Sequence, residues 1–226
     1  MQTSQGQVIE LILQDGLRSA RLSCPANLIP SPGQYLLAGA DSGSLLPVPL
    51  FYTDSAPSGF IAAPPLPDSW IPGHKLHLRG PLGRGFALPA SSRRVALVAY
   101  DDTPAHLRGL IRPALKQNAA VVLVCDSASD SLPADVEVQP SSALSEVCEW
   151  ADYIALDVAR ENLPGLRQAM GKLNQVSALK EAQVLLRTSM PCGGVAECGV
   201  CAVNLKSNWR MACKDGPVLD WRDIGE

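Results

Sequence analysis

The chain has 226 residues, 46% of them hydrophobic and 18% charged, with a net charge of -3 and a pI near 5.6. That balance suits a core-forming protein of two or three small units and excludes nucleic acid as a partner, because no basic footprint is present. No apolar run approaches the roughly 18 residues of a membrane span and no apolar segment follows the polar start MQTSQGQ, so a soluble, cytoplasmic protein without membrane contact is expected.

Residues 7–13, QVIELIL, mix alternation with a short apolar run, and Ser31-Pro32-Gly33 is a turn that feeds QYLLAG as a strand. Short strands are also expected at Gly59 to Ala63 and at Lys75 to Leu78, where KLHL alternates. Short strands between Pro/Gly turns predict a small antiparallel β-barrel over about residues 1–90.

The pattern then changes. VALVAY (Val95 to Tyr100) and AVVLVC (Ala120 to Cys125) are continuous apolar runs, as in parallel strands covered on both faces. Between them Leu107, Leu110, Ile111, Ala114 and Leu115 recur at helical spacing, with Thr103 as N-cap, Pro104 at N1 and Pro113 shortening the helix. A helix carrying Leu144, Val147, Cys148 and Ala151, a strand at Asp152 to Asp157 and a helix near Leu163 to Met170 complete a Rossmann-like α/β domain over residues 91–178. Residues 179–226 are too few for a hydrophobic core of their own and are expected to depend on a metal centre.

That last stretch contains MPCGGVAECGVCAVNLKSNWRMACKDGP. Cys192, Cys198 and Cys201 follow C-x5-C-x2-C, with Cys213 after eleven further residues, close to the plant-type [2Fe-2S] spacing. Gly193, Gly194 and Gly199 let the loop turn its amides toward the sulfurs. Structural zinc also accepts four thiolates, but only Cys198 and Cys201 form a C-x2-C knuckle, and a disulfide or inert thiols form a third reading. A Rieske centre is disfavoured because His74, His77 and His106 lie far upstream.

Other candidates have plainer readings. Cys24, Cys125 and Cys148 are expected to be buried small hydrophobes, His74 and His77 surface or half-buried strand residues, and Asp101 and Asp102 a solvated turn before a helix. Trp209, Met211 and Trp221 flank Cys213 and suit either packing or shielding of a centre. No nucleophile elbow, P-loop or HExxH run occurs, so an enzyme acting alone has no support in the sequence.

Three stretches carry a family resemblance: GHKLHLRGPLGRGF from Gly73 to Phe86, SMPCGGVAECGVCAV, and MACKDGPVLDW. They resemble the electron transfer subunits that accompany type B dihydroorotate dehydrogenase, within the ferredoxin-reductase-like iron-sulfur flavoproteins. The resemblance implies an FAD-binding-type barrel with flavin contacts at Gly80, Pro81, Leu82 and Gly83, and a cluster on Cys192, Cys198, Cys201 and Cys213. It also implies a hetero-oligomer with a flavin-containing catalytic dehydrogenase subunit, and thereby a place in pyrimidine biosynthesis.

The chain departs from that family at its nucleotide sites. The flavin motif R-R-P-[IFL]-S falls on the stretch Leu45-Leu46-Pro47-Val48-Pro49-Leu50-Phe51, which keeps Pro49 but is apolar at both arginine positions and at the serine position, so the resemblance implies FAD while these residues argue against it. After the first strand of the α/β domain, Tyr100-Asp101-Asp102-Thr103 stands in place of a glycine-rich turn, and NAD(P) binding is not expected. The expected function is a [2Fe-2S] electron relay between a flavin and a partner oxidoreductase. The alternatives are a non-redox structural or regulatory subunit stapled at its cysteines by iron-sulfur or zinc, and a flavoprotein holding FAD through other contacts.

Overall fold

The computed structural model describes residues 2–14, 16–40, 46–101, 103–127, 132–171, 181–206 and 208–224. Alternating side chains in the first third put one face of each strand inside and the other toward water, as in Lys75–Leu82, where Leu76 and Leu78 are buried between exposed Lys75 and His77. Six such strands close on one another: β1 (Gln2–Gln14), β2 (Leu17–Ser23), β3 (Tyr35–Ala40), β4 (Val48–Ala56), β5 (Gly59–Ala62) and β6 (Lys75–Leu82). Their order β1-β2-β5-β4-β3-β6 is a closed antiparallel barrel, filled by Val8, Leu22, Leu36, Leu50, Phe60, Leu78 and Trp70. Closure leaves no free strand edge.

Gly59 marks the tightest approach in this barrel. It pairs with Ser23 across β5 and β2, and a Cβ there would stand 1.9 Å from the Leu22 carbonyl oxygen, a backbone atom with no rotamer to escape through. Gly59→Ala is expected to cost about 3 kcal/mol, the upper range for overpacking, measured as a lowered urea midpoint at unchanged slope.

After the barrel, β7 (Arg94–Ala99), β8 (Ala120–Val124), β9 (Val136–Gln139), β10 (Tyr153–Ala159) and β11 (Glu181–Arg187) pair in parallel. Helices α1 (Ile111–Lys116), α2 (Leu144–Trp150) and α3 (Leu163–Gly171) cover this sheet. The helix expected between the first two strands is broken into short pieces, with Thr103 at the N-cap position and Pro104 at N1 of the first. Two 3-10 turns, Pro104–His106 and Arg108–Leu110, precede a six-residue α1, and Thr103 makes no side-chain cap. Gly109 sits against the Tyr52 ring, where a Cβ would come within 2.7 Å, so contact with the barrel shapes this segment as much as its periodicity does.

The remaining elements are a small hairpin of β12 (Ala202–Asn204) and β13 (Trp209–Met211), a single turn of helix α4 (Ala212–Asp215) and β14 (Val218–Asp220). β14 adds antiparallel to β11, giving the sheet order β14-β11-β10-β7-β8-β9. The C-terminal stretch is therefore built onto the α/β sheet. The boundary expected at residue 178 lies outside the described residues, and β11 beyond it belongs to the sheet. One core joins all three parts: barrel residues Tyr35 and Phe51, sheet residues Val98, Leu156 and Val184, and Cys201 and Cys213 meet in a single buried cluster.

Candidate functional site

The loop between β11 and β12 carries three of the four cysteines and α4 carries the fourth. Cys201 and Cys213 are 1% and 2% exposed, Cys192 is half-buried and Cys198 is exposed, so the group runs from the core to the surface. Left-handed backbone makes the turn. Gly194 has φ +81° with its Cα against the Tyr35 hydroxyl, where a Cβ would approach to 2.9 Å, and Ala196 is left-handed at φ +63° although it is not glycine.

Ala196 shows what that conformation achieves. Its amide donates to the sulfurs of both Cys192 and Cys213, and the amides of Val195 and Cys198 also donate to Cys192. Cys192 interacts most directly with Cys198, and Cys213 with Cys201 and more weakly with Cys192. Burial works to raise the Cys192 pKa, but the hydrogen bonds from Ala196, Cys198 and Val195 prevail and hold it at about 6. Burial, then the hydrogen bond and charge of Cys201, push Cys213 up to about 12. Tyr35 also registers the group. Its hydroxyl donates to the Cys213 carbonyl at 2.8 Å, and its pKa is raised first by burial and then by the charges of Cys213, Cys201 and Cys192.

The loop thus brings Cys192, Cys198 and Cys201 into the neighbourhood of Cys213 on α4. Among the described residues, no three His, Cys, Asp or Glu side chains stand placed to hold one metal ion. The donor set is four thiols with amide N–H groups aimed at sulfur. Such a donor set would suit an iron-sulfur cluster or a zinc ion, both of which take thiolates.

Of the flavin contacts expected at Gly80, Pro81, Leu82 and Gly83, the first three end β6 and Gly83 follows it; Gly80 is buried and the other three are half-buried. A Cβ on Gly83 would meet the Gly216 oxygen and Pro217 at 2.6 Å, and the Gly83 carbonyl accepts from Gln34 Nε2 at 3.1 Å. Gly83 also borders a polar cavity of about 570 Å³ with Arg84, Arg210 and Asp215. A different cavity, of about 490 Å³, opens between the barrel and the carboxyl ends of β10 and β11. Pro47, Pro49, Phe51, Pro64, Met190 and Pro191 make it largely apolar, and His106, Glu161 and Arg187 lie at its sheet end.

This cavity does not fit an FAD pyrophosphate. Arg187, the guanidinium among its described lining residues, is already bonded to two carboxylates, and Phe51 and the prolines offer no phosphate partner. Phe51 packs its ring 5.8 Å from Tyr35 and 5.4 Å from His106.

Sequence spacing gave no sign of the buried network behind Arg187. Asp157, 1% exposed, accepts Arg187 Nε at 2.8 Å and stands 3.2 Å from His106 Nδ1, a close contact that lacks hydrogen-bond geometry. Burial presses the Asp157 pKa upward, but His106 and Arg187 outweigh it and hold it below the usual carboxylate range. Asp101, read as part of a solvated turn, instead accepts Arg187 Nη2 and the Ala159 amide at 2.5 Å each, with its side chain only 14% exposed. The correction follows from tertiary contact: its partner lies 86 residues away. Asp102 lies outside the described residues.

Barrel, sheet order and C-terminal strand together decide the architecture. The fold is ferredoxin-reductase-like. No family model matches the chain. The structure resembles a chain of NADH-dependent reduced ferredoxin-NADP oxidoreductase, a protein studied for flavin-based electron bifurcation, with TM-score 0.74 and 14% identity over 97% of this chain and 89% of that one. It also resembles the FAD apo form of the ferredoxin reductase of carbazole 1,9a-dioxygenase, with TM-score 0.60 and 17% identity over 80% and 66% of the two chains. An Amycolatopsis cytochrome P450 reductase matches with TM-score 0.55 and 16% identity over 79% and 67%. No helix among the described residues is long and apolar enough to cross a membrane.

Proposed function

We propose that this chain is the electron transfer subunit of a flavin-dependent oxidoreductase, with Cys192, Cys198, Cys201 and Cys213 as the ligands of a [2Fe-2S] cluster. The observation that carries this reading is the gathering of the four thiols about the Ala196 amide, which donates to Cys192 and Cys213, with Cys198 and Cys201 beside them. Bound there, the cluster would alternate between all-ferric and mixed-valence states and so supply one-electron chemistry.

The protein's own residues divide the remaining work. Tyr35, Leu82 and the shared core keep water from Cys201 and Cys213, while the Ala196, Val195 and Cys198 amides disperse negative charge on sulfur. Cys198 lies at the surface beside Val195 and Val200, which are 51% and 45% exposed, and the nearby hairpin holds Trp209 64% exposed. That edge suits contact with a second subunit. Because the inter-domain cavity does not fit FAD, the flavin is assigned to the partner, a dehydrogenase related to dihydroorotate dehydrogenase by the sequence resemblance. The ferredoxin-reductase-like neighbours support electron transfer as the broad class.

The test is anaerobic purification or reconstitution with iron and sulfide, followed by metal, sulfide and flavin analysis of one sample. About two irons and two acid-labile sulfides per chain are expected, with visible absorption that bleaches on dithionite addition and a rhombic EPR signal. Stoichiometric zinc, or a centre that takes up no electron, turns the reading to a structural staple. Flavin bound at one per chain overturns its assignment to the partner.

A further inference from the structure

The parallel sheet has a switch point. From β7 the chain proceeds to β8 and β9 on one side, then crosses back to β10 and β11 on the other, so β7 and β10 are neighbours whose following segments diverge. In open parallel sheets the crevice beyond the carboxyl ends at such a point is where ligands bind, with phosphates on main-chain amides and cationic side chains. Here that place contains Asp101, two residues past the end of β7.

Three donors converge on its carboxylate. Oδ2 accepts the amide of Ala159, the last residue of β10, and Nη2 of Arg187, the last residue of β11, both at 2.5 Å. Oδ1 accepts Asn162 Nδ2 at 2.6 Å. A strand-end amide, a guanidinium and a carboxamide form a cradle for an oxyanion. Asp157, buried against the same guanidinium, neutralises what charge Arg187 has left for a second anion.

We infer that the oxyanion cradle at the switch point between β7 and β10 is filled from within by the Asp101 carboxylate, which ties three strand ends together and excludes the phosphate of a dinucleotide. Asp101 is a latch in place of a ligand. This inference is independent of the metal at the cysteine loop.

The test is chemical replacement of the carboxylate. Asp101→Ala is expected to melt at least about 6 °C below the wild type, as for a buried ion pair that loses one partner. It should regain at least half of that loss when sodium formate replaces sodium chloride at equal ionic strength. The wild type should melt alike in both salts, with no shift on adding NADH or NADPH. A folded Asp101→Ala that does not respond to formate overturns the inference, and so does saturable binding of NADH or NADPH by the wild type. If Asp101→Ala does not fold, the dinucleotide titration on the wild type still decides, joined by Asp101→Asn, which keeps the side-chain volume and is expected to fold with an intermediate melting temperature and no formate response. An Asp101→Asn that melts with the wild type also overturns the inference.

Discussion

Arg187→Met is expected to lower the melting temperature by on the order of 10 °C. The reason is charge left behind. Arg187 bonds Asp101 through Nη2 and Asp157 through Nε, and the two acids are 14% and 1% exposed at their side chains. Methionine keeps much of the side-chain volume but leaves two carboxylates without their guanidinium, and breaking such a buried arrangement from one side costs about 3–5 kcal/mol. His106 offsets part of this at Asp157, from 3.2 Å.

The pH dependence has a definite sign. In the wild type, the Asp157 pKa is below its unfolded value, so its contribution is present above the unfolded carboxylate pKa of about 4 and is lost as pH falls through the folded value. In Arg187→Met, burial acts with less opposition and raises that pKa, so protonation relieves the variant. The gap between wild type and variant should therefore be widest near neutral pH and narrow below about pH 4, measured by urea unfolding across pH. A gap that is constant or widens in acid would mean that lost packing, and not unpaired charge, dominates.

How the sequence reveals this molecule depends on the range of each interaction. Barrel strands β1, β3, β5 and β6 and the central strands β7, β8 and β10 were legible because alternation and continuous apolar runs are local properties, set by which faces a strand must bury, whereas β2 and β4 were not read as strands. DYIALD was read one residue early and two short, since Val158 and Ala159 continue β10 beside β11, a partner that local pattern does not name. The 107–115 helix failed as a single element because Gly109 meets Tyr52 of the barrel and Pro113 limits α1. β9 and β14, of four and three residues, are too short to show a period.

The candidate site divides along the same line. Cys192, Cys198 and Cys201 lie within one loop, so spacing alone brought them together, and a matching C-terminal motif added Cys213. Their mutual arrangement was not legible, because it depends on Ala196 taking a left-handed conformation that its type disfavours. The Asp101–Arg187–Asp157–His106 network joins residues from the ends of three strands and a 3-10 turn. Only the observation that an acid stands where a phosphate-binding turn would be expected pointed toward it, and solvation was then the plainer assignment.

The same geometry gives the cysteine series its expected outcome. Serine at any of Cys192, Cys198, Cys201 or Cys213 should abolish the reducible centre, since a binuclear cluster on four thiolates has no spare ligand and a hydroxyl is a hard, poor ligand for iron-sulfur. Stability of the metal-free proteins should separate the four. Cys201 and Cys213 are 1% and 2% exposed within the core that includes Tyr35 and Val184, so a serine hydroxyl there costs about 1–3 kcal/mol. Cys198 is exposed, and Cys198→Ser should stay within about 0.5 kcal/mol of the wild type. Iron content and urea midpoints of the same four variants provide the check. Full iron with an unchanged EPR signal in Cys198→Ser would remove it from the ligand set, whereas equal losses of stability in all four metal-free variants would contradict the core-to-surface order of the site. Because the unfolded chain does not hold four thiolates together, assembly of the centre adds to folding free energy. The wild type should therefore melt higher loaded than metal-free, and this difference should vanish in every member of the series.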